Sequence, residues 1–233
     1  MSVRRQRHPL TLLTKEVPAL ELTTADTCLL LQDLHAPFVD PKEGWLASKA
    51  KAKVLQREFD EYFETLRHIM PNVQKLLTEA RRLGLTVVFS CFGYLPPEKP
   101  SPLQIATGWQ WDLSGADGGF PAALEPLETE RVFSKPGWGA LGNPRFETFL
   151  QDYGIANLLV AGTMLDFGLR QTCYELADRG YHALVVADAV VALTAAAEEP
   201  ARGNLAHGLT KFRTTAELLD LLERLRAEQA VVI

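Results

Sequence analysis

Cysteine is scarce in this chain of 233 residues: Cys28, Cys91 and Cys173 are its only three. They are too few and too dispersed for a disulfide framework. None lies in a C-x-x-C pair, so spacing suggests no zinc site. No stretch approaches the ~20 apolar residues that a membrane span needs, so no membrane partner is expected. The arginines Arg4, Arg5 and Arg7 are not followed by an apolar run, so no signal peptide is expected and a reducing, cytoplasmic setting follows. A basic surplus is also missing. Lys and Arg total 24 against 29 Asp and Glu, a net charge of −5, and the basic residues are scattered outside that N-terminal group; no nucleic-acid partner is expected. Phosphate-binding fingerprints are absent too, since "GNPRFE" and "GADGG" match neither a P-loop nor G-x-G-x-x-G after a strand. There is no G-x-S-x-G elbow. The five histidines show no metal-ligand spacing, and neither a metal nor a cofactor is expected.

What is present reads as one α/β domain over residues 1–233, with residues 1–25 as an N-terminal extension. The hydrophobic share of 47% suits a single core of this length. Continuous apolar runs predict strands buried on both faces: "TCLLLQDLH" (Thr27–His35), "LTVVFSCF" (Leu85–Phe92), "ANLLVAG" (Ala156–Gly162) and "HALVVAD" (His182–Asp188). Shorter strands are expected at Glu130–Lys135 and in "TKFRT". Helical spacing runs from Val54 to Gly84, with Pro71 expected to force a new start inside it. Further helices are expected from Pro144 to Gly154, from Asp166 to Gly180, partly in "AAAEEPARGNLAHGL", and in "TAELLDLLERLRAEQ", capped by Thr214 or Thr215. Strands alternating with helices predict a parallel sheet covered on both faces. Residues 93–120, rich in Pro and Gly and carrying Trp109 and Trp111, are too long for a plain connector. They read either as a lid-like loop or as a structural loop that packs its tryptophans into the core or a subunit interface.

In such sheets ligands bind beyond the C-terminal strand ends. Those ends carry Asp33, Cys91, Lys135, Gly162 and Asp188. If Asp33 and Lys135 face each other, the ammonium keeps the carboxylate ionised, and the pair can hold or move a proton in a dry site. The plain alternatives are a turn aspartate and a surface lysine. His35 is either a neighbour of Asp33 in a pocket or a hydrogen-bonded loop histidine.

The pattern resembles the isochorismatase-like family, often called cysteine hydrolases. "LLLQDLHAPFVDP" supplies an Asp at a strand end with an aromatic, Phe38, after it. "VFSKPGWGAL" supplies the strand-ending Lys135. "GTMLDFGLRQTCYELADRGYHALVVADAV" follows the family's third motif through Gly162, Asp166, Thr172, Asp178, Gly180, Tyr181 and Asp188. The resemblance covers about residues 27–222. It implies a Rossmann- or flavodoxin-like three-layer α/β/α sandwich with a mainly parallel sheet of about six strands, a small-molecule substrate and a homo-oligomer, dimer or tetramer. In the family's amidase members the Asp is the base toward a Cys thiol and the Lys stabilises charge. Backbone N–H groups near a non-proline cis peptide hold the oxyanion. That bond would fall at Thr163–Met164. The residues placed around the substrate are Phe38, His35, Cys91, Trp109, Trp111, Thr163 and Met164.

The nucleophile position falls on Gly168, which has no thiol. Cys173 lies five residues on, about 140° around a helix and ~7.5 Å along it, so it reads as a packing residue. Three readings follow. One is a non-covalent hydrolase, as in the vinyl-ether-cleaving branch that also lacks the Cys, with Asp33 as general acid/base and Lys135 as electrostatic support. Against that branch stand Met164 and Asp166 where an aromatic and a His are usual. The stretch from Gly93 to Thr129 also offers Lys99 as its only cation for a dicarboxylate. The second reading is a catalytically silent member that binds a small carbonyl compound or serves an assembly. The third is an amidohydrolase with a relocated thiol at Cys91.

Overall fold

The computed structural model describes residues 20–42, 44–45, 56–206, 210–228 and 230–232. The basic N-terminal arginines, most of the N-terminal extension, and residues 54–55 and 207–209 of the expected helical tracts lie outside them.

Six strands form one parallel sheet: β2 (Thr27–Gln32), β3 (Thr86–Phe92), β4 (Arg131–Lys135), β5 (Asn157–Thr163), β6 (His182–Val191) and β7 (Thr210–Arg213). Their spatial order is β4-β3-β2-β5-β6-β7. Counted within the sheet this is 3-2-1-4-5-6, the doubly wound order, whose switch point lies between β2 and β5. Every residue of β2 and of β5 is buried, as the apolar runs require of strands covered on both faces. Alternation divides the core in two. Leu29 and Leu31 of β2 join the cluster under α2 (Gln56–Leu83) and α7 (Thr215–Glu228). Cys28 and Leu30 join the cluster under α4 (Pro144–Asp152), α5 (Gly168–Asp178) and α6 (Ala195–Leu205). The result is a three-layer α/β/α sandwich. Two shorter helices, α1 (Ala36–Val39) and α3 (Pro102–Thr107), follow β2 and β3.

Pro71 does not restart the helix as expected: it sits inside α2, which runs unbroken for 28 residues. A mid-helix proline costs about 3 kcal/mol. Phe59, Tyr62, Leu66 and Ile69 before it, and Val73, Leu76, Leu77 and Ala80 after it, are all buried on one core. At roughly 1.5–3 kcal/mol for each large apolar side chain, that burial outweighs the proline. β6 runs past Asp188 to Val191, with a register shift against β5. The Asp188 carboxylate accepts from the Thr215 N–H (2.6 Å) and hydroxyl (2.8 Å), so it holds the start of α7 and stands away from the ligand end. The cap of α7 is Thr214, whose hydroxyl accepts from the Glu217 N–H while Glu217 accepts from the Thr214 N–H. Two three-residue strands went unforeseen. β1 (Glu21–Thr23) pairs antiparallel with β8 (Ala230–Val232). Among the described residues no helix is long and apolar enough to cross a membrane.

Candidate active site

Asp33 follows β2 directly, in the left-handed region (φ 54°) that L-residues other than Asn and Asp seldom adopt. Its N–H donates to the Ser90 carbonyl of β3 (2.9 Å). Its Oδ1 accepts from the Phe92 N–H (2.7 Å). Both contacts point the carboxylate inward, and the residue is 3% exposed. Lys135 closes β4, in register with Phe92, and is 1% exposed. Its Nζ lies 2.5 Å from Asp33 Oδ2. A second proton of the ammonium goes to the Trp138 carbonyl (2.9 Å). Two opposite charges in a dry interior survive only with such pairing and extra hydrogen bonds.

Gly168, the first residue of α5, completes the group. A Cβ built there would stand 3.0 Å from Lys135 Nζ, 3.0 Å from the Trp138 carbonyl oxygen and 3.2 Å from Gln32 Nε2. The missing side chain thus leaves no open slot: these three neighbours already stand close against the helix start. Gln32 is held in turn by Thr172, whose hydroxyl donates to Gln32 Oε1 (2.7 Å) and accepts from the Ala140 N–H (2.9 Å). Gly162 permits the approach of β5 to β2. With φ 127°, it would place a Cβ 2.1 Å from the Gln32 carbonyl oxygen. The peptide Thr163–Met164 is cis, as is Pro96–Pro97.

Asp33, Lys135 and Gly168 meet at one cavity with Phe38, Trp109 and Met164. Phe92, Trp138 and Phe167 finish its wall. The cavity is tight, about 10 Å³, room for about one water molecule. Its roof is an aromatic cluster. Phe92 stacks on Trp138 (5.2 Å), Trp109 stacks on Trp111 (5.9 Å), and Trp138 meets Phe167 edge-on (4.4 Å). Phe167 is the outermost ring, 40% exposed.

Of the other residues placed around the substrate, His35, Cys91, Trp111 and Thr163 stand behind the lining. His35 packs against Phe38 and Trp111, with Nε2 at 3.1 Å from the Phe92 carbonyl oxygen. Burial pushes its pKa down to about 4 against the opposing pull of Asp33, so the ring is neutral at pH 7. Thr163 is buried and accepts from the Tyr62 hydroxyl (3.0 Å). Burial drives the Cys91 thiol well up, with Asp33 adding to the shift and Lys135 opposing it. Cys173 packs beside Leu169 and Leu176 with its pKa pushed up to about 12 by burial, and Cys28 is raised in the same way. All three thiols are therefore protonated at neutral pH.

Sequence reasoning missed Phe92, Trp138, Phe167 and Gln32. A signal existed for each. Phe92 and Gln32 are the last residues of their strands, Trp138 lies in the turn after Lys135, and Phe167 precedes Gly168. Residues 93–120 hold α3 by a Ser101–Gln104 capping box. They dock on the lysine strand: Gln104 Nε2 donates to the Lys135 carbonyl (3.2 Å) and the Ser101 hydroxyl to the Pro136 carbonyl (2.5 Å). Within this segment Trp109 lines the cavity and Trp111 is buried. Among the described residues no His, Cys, Asp and Glu side chains gather as metal ligands would.

Known proteins share this plan. An isochorismatase family protein of Escherichia coli O157:H7, YecD, is 23% identical over 127 residues, 54% of this chain. This chain spans 64% of that relative's length. YwoC of Bacillus subtilis, also an isochorismatase family protein, is 22% identical over 158 residues, 65% of this chain and 82% of its own. Among solved structures, a cysteine hydrolase from Pseudomonas syringae pv. phaseolicola superposes with a TM-score of 0.73 at 17% identity, over 90% of this chain and 99% of its own. The family model described as the isochorismatase domain matches residues 27–217, from β2 into α7. This chain belongs to the isochorismatase domain family.

Proposed function

We propose that this chain hydrolyses a small molecule without a covalent thiol intermediate. Asp33 serves as general acid and base, and Lys135 as its electrostatic partner. The observation that carries this reading is the buried Asp33–Lys135 pair, 2.5 Å apart, at a cavity where position 168 has no side chain. The three cysteines stand outside the lining with thiols held protonated, which leaves little support for a nucleophile at Cys91. In a vinyl-ether-type hydrolysis, Asp33, ionised beside Lys135 in the free site and protonated when substrate is bound, gives its proton to the vinyl carbon. Lys135 stabilises the carboxylate left behind. Water attacks the oxocarbenium-like centre and returns a proton to Asp33. The hemiketal so formed collapses: its ether C–O bond breaks, its hydroxyl becomes a carbonyl, and the hydroxyl proton passes to the departing alcohol.

The test is turnover. The pure protein is incubated with isochorismate and with a panel of amides and ureas, beside an Asp33→Asn variant. Turnover that disappears in the variant supports the proposal; turnover that persists in it removes Asp33 from the chemistry and sinks it. A second reading, a catalytically silent member that binds a small carbonyl compound, draws on one observation: the cavity of about 10 Å³ admits no substrate until its aromatic wall moves. No turnover on any compound, with saturable binding retained, would favour that reading.

A further inference from the structure

The turn after β4 carries the Trp138 carbonyl, which accepts from Lys135 Nζ (2.9 Å). That turn is tied to α5. The Ala140 N–H donates to the Thr172 hydroxyl (2.9 Å), and the Leu141 N–H donates to Glu175 Oε2 (3.0 Å). The Gln171 side chain steadies the other carboxylate oxygen, with Nε2 at 3.3 Å from Oε1. Gly139 contributes the nitrogen of the same peptide that presents the Trp138 carbonyl. A Cβ built at Gly139 would overlap the Glu175 carboxylate, its carbon and both oxygens. The carboxylate therefore fits against the turn because position 139 has no side chain. Gly168, Thr172 and Glu175 stand at i, i+4 and i+7 of α5, within an arc of about 60° around the helix axis. All three bear on the charged pair: Gly168 faces Lys135 Nζ, Thr172 holds Gln32, and Glu175 holds the turn that presents the Trp138 carbonyl.

We propose, on the reading that the Asp33–Lys135 pair does the chemistry, that Glu175 is a positioning residue for Lys135. Its carboxylate grips the Leu141 N–H and lies against the bare Cα of Gly139, and so sets the place of the Trp138 carbonyl and of the ammonium beside Asp33. Glu175 is half-buried on α5 and acts through the turn. A carboxylate accepting from a backbone N–H makes a shorter and stronger bond than a neutral acceptor does. Alanine at 175 releases that N–H and opens space beside Gly139, so the Trp138 peptide is free to turn and the ammonium loses a fixed acceptor. Glutamine keeps an acceptor oxygen at the same reach. A side chain added at 139 disturbs the same contact from the opposite side.

The experiment reads the Lys135 ammonium itself, by NMR of the full chain labelled with nitrogen-15 lysine. Buried, hydrogen-bonded ammonium protons exchange slowly with water and give a resonance of their own. It is assigned by its absence from Lys135→Arg and by its contacts with the Phe92 ring, whose centroid lies 5.7 Å from Nζ. Glu175→Ala is expected to speed the exchange of these protons at least about fivefold, and Glu175→Gln to return it to within about twofold of the wild-type rate. Gly139→Ala is expected to act as Glu175→Ala does, and it carries the test if circular dichroism shows Glu175→Ala unfolded. Leu176→Ala, which opens the core one residue further along α5, is expected to lower the urea midpoint and leave the exchange rate unchanged. The proposal falls if the wild-type chain shows no slowly exchanging Lys135 resonance, or if the folded Glu175 and Gly139 variants keep the wild-type rate. It also falls if Leu176→Ala speeds exchange as much as they do, or if Glu175→Gln behaves like Glu175→Ala. None of these readings needs a substrate. Turnover that persists in Asp33→Asn would sink the hydrolysis reading and leave the anchoring of the ammonium standing; an unchanged exchange rate would do the reverse.

Discussion

Replacing Lys135 with methionine isolates the energetic demand of the buried pair. The two side chains are 1% and 5% exposed. Across their 2.5 Å separation the Coulomb attraction is about 7 kcal/mol at an effective dielectric of about 20, before any desolvation is set against it. The net value of the pair against an apolar replacement is small, because both charges lost their hydration on folding. Breaking it from one side is different: the Asp33 carboxylate stays in the same dry place with the ammonium gone. Such losses run about 3–5 kcal/mol, and the orphaned Trp138 carbonyl adds about 1 kcal/mol. Methionine retains most of the apolar stem, so little is lost in packing. We expect Lys135→Met to lose about 4 kcal/mol at pH 7 in equilibrium urea unfolding, and Asp33→Asn combined with Lys135→Met to recover most of it. A loss below about 1 kcal/mol in the single variant would show that the carboxylate is not held by the lysine. A double variant as unstable as the single one would place the damage in packing instead.

Two further outcomes are expected. His35 is neutral in the folded chain, its pKa depressed to about 4 from 6.5, so the unfolded chain binds the extra proton first. Its contribution is complete above pH 6.5 and is lost as pH falls toward 4, on the order of 3 kcal/mol. His35→Gln, which can still donate to the Phe92 carbonyl, should flatten that part of the stability profile measured by urea titration at several pH values; an unchanged slope refutes the assignment. Gly168→Cys requires Lys135 Nζ and the Trp138 carbonyl to give by a few tenths of an ångström. The introduced thiol, beside the ammonium, should react with iodoacetamide at least about tenfold faster than Cys28, Cys91 or Cys173, as peptide mass mapping would show. Labelling confined to the native cysteines would mean that position 168 does not face the pair.

The parts of this molecule that could be read from its sequence are those with local causes. Leu29, Leu30 and Leu31 announce a strand with two buried faces, and Thr214 with Glu217 announces a helix start. The strand-end rule brought Asp33 and Lys135 to notice because each closes an apolar run. The family register then pointed to Gly168. What stayed hidden depends on neighbours distant in the chain. α2 survives Pro71 only because one core receives residues from both sides of it. β1 and β8 have three residues each, too short for any period to register, and exist because each is the other's partner. The tight approach at Gly168 involves the carbonyl of Trp138, an atom that every residue type carries, so no side-chain pattern could signal it. The aromatic wall draws on β3, the loop after it, the turn after β4 and the residue before α5, four places that only the fold compares.

The carbonyl of Lys135 receives two donors from the covering segment, the Gly93 N–H (3.3 Å) and the Gln104 side chain (3.2 Å). The Gly119 carbonyl closes the far end on the Ala36 N–H (2.8 Å), just past Asp33. This makes the segment a spacer of fixed length, anchored at one end on the peptide carbonyl of Lys135 and at the other on Ala36, three residues after Asp33. Insertions and deletions between Gly93 and Gln104 therefore act on the position of the ammonium as well as on the roof above it. Between relatives, changes of length in this stretch should travel with changes at the lysine, while the exposed backbone at Pro96, Pro97 and Lys99 is where added residues disturb it least.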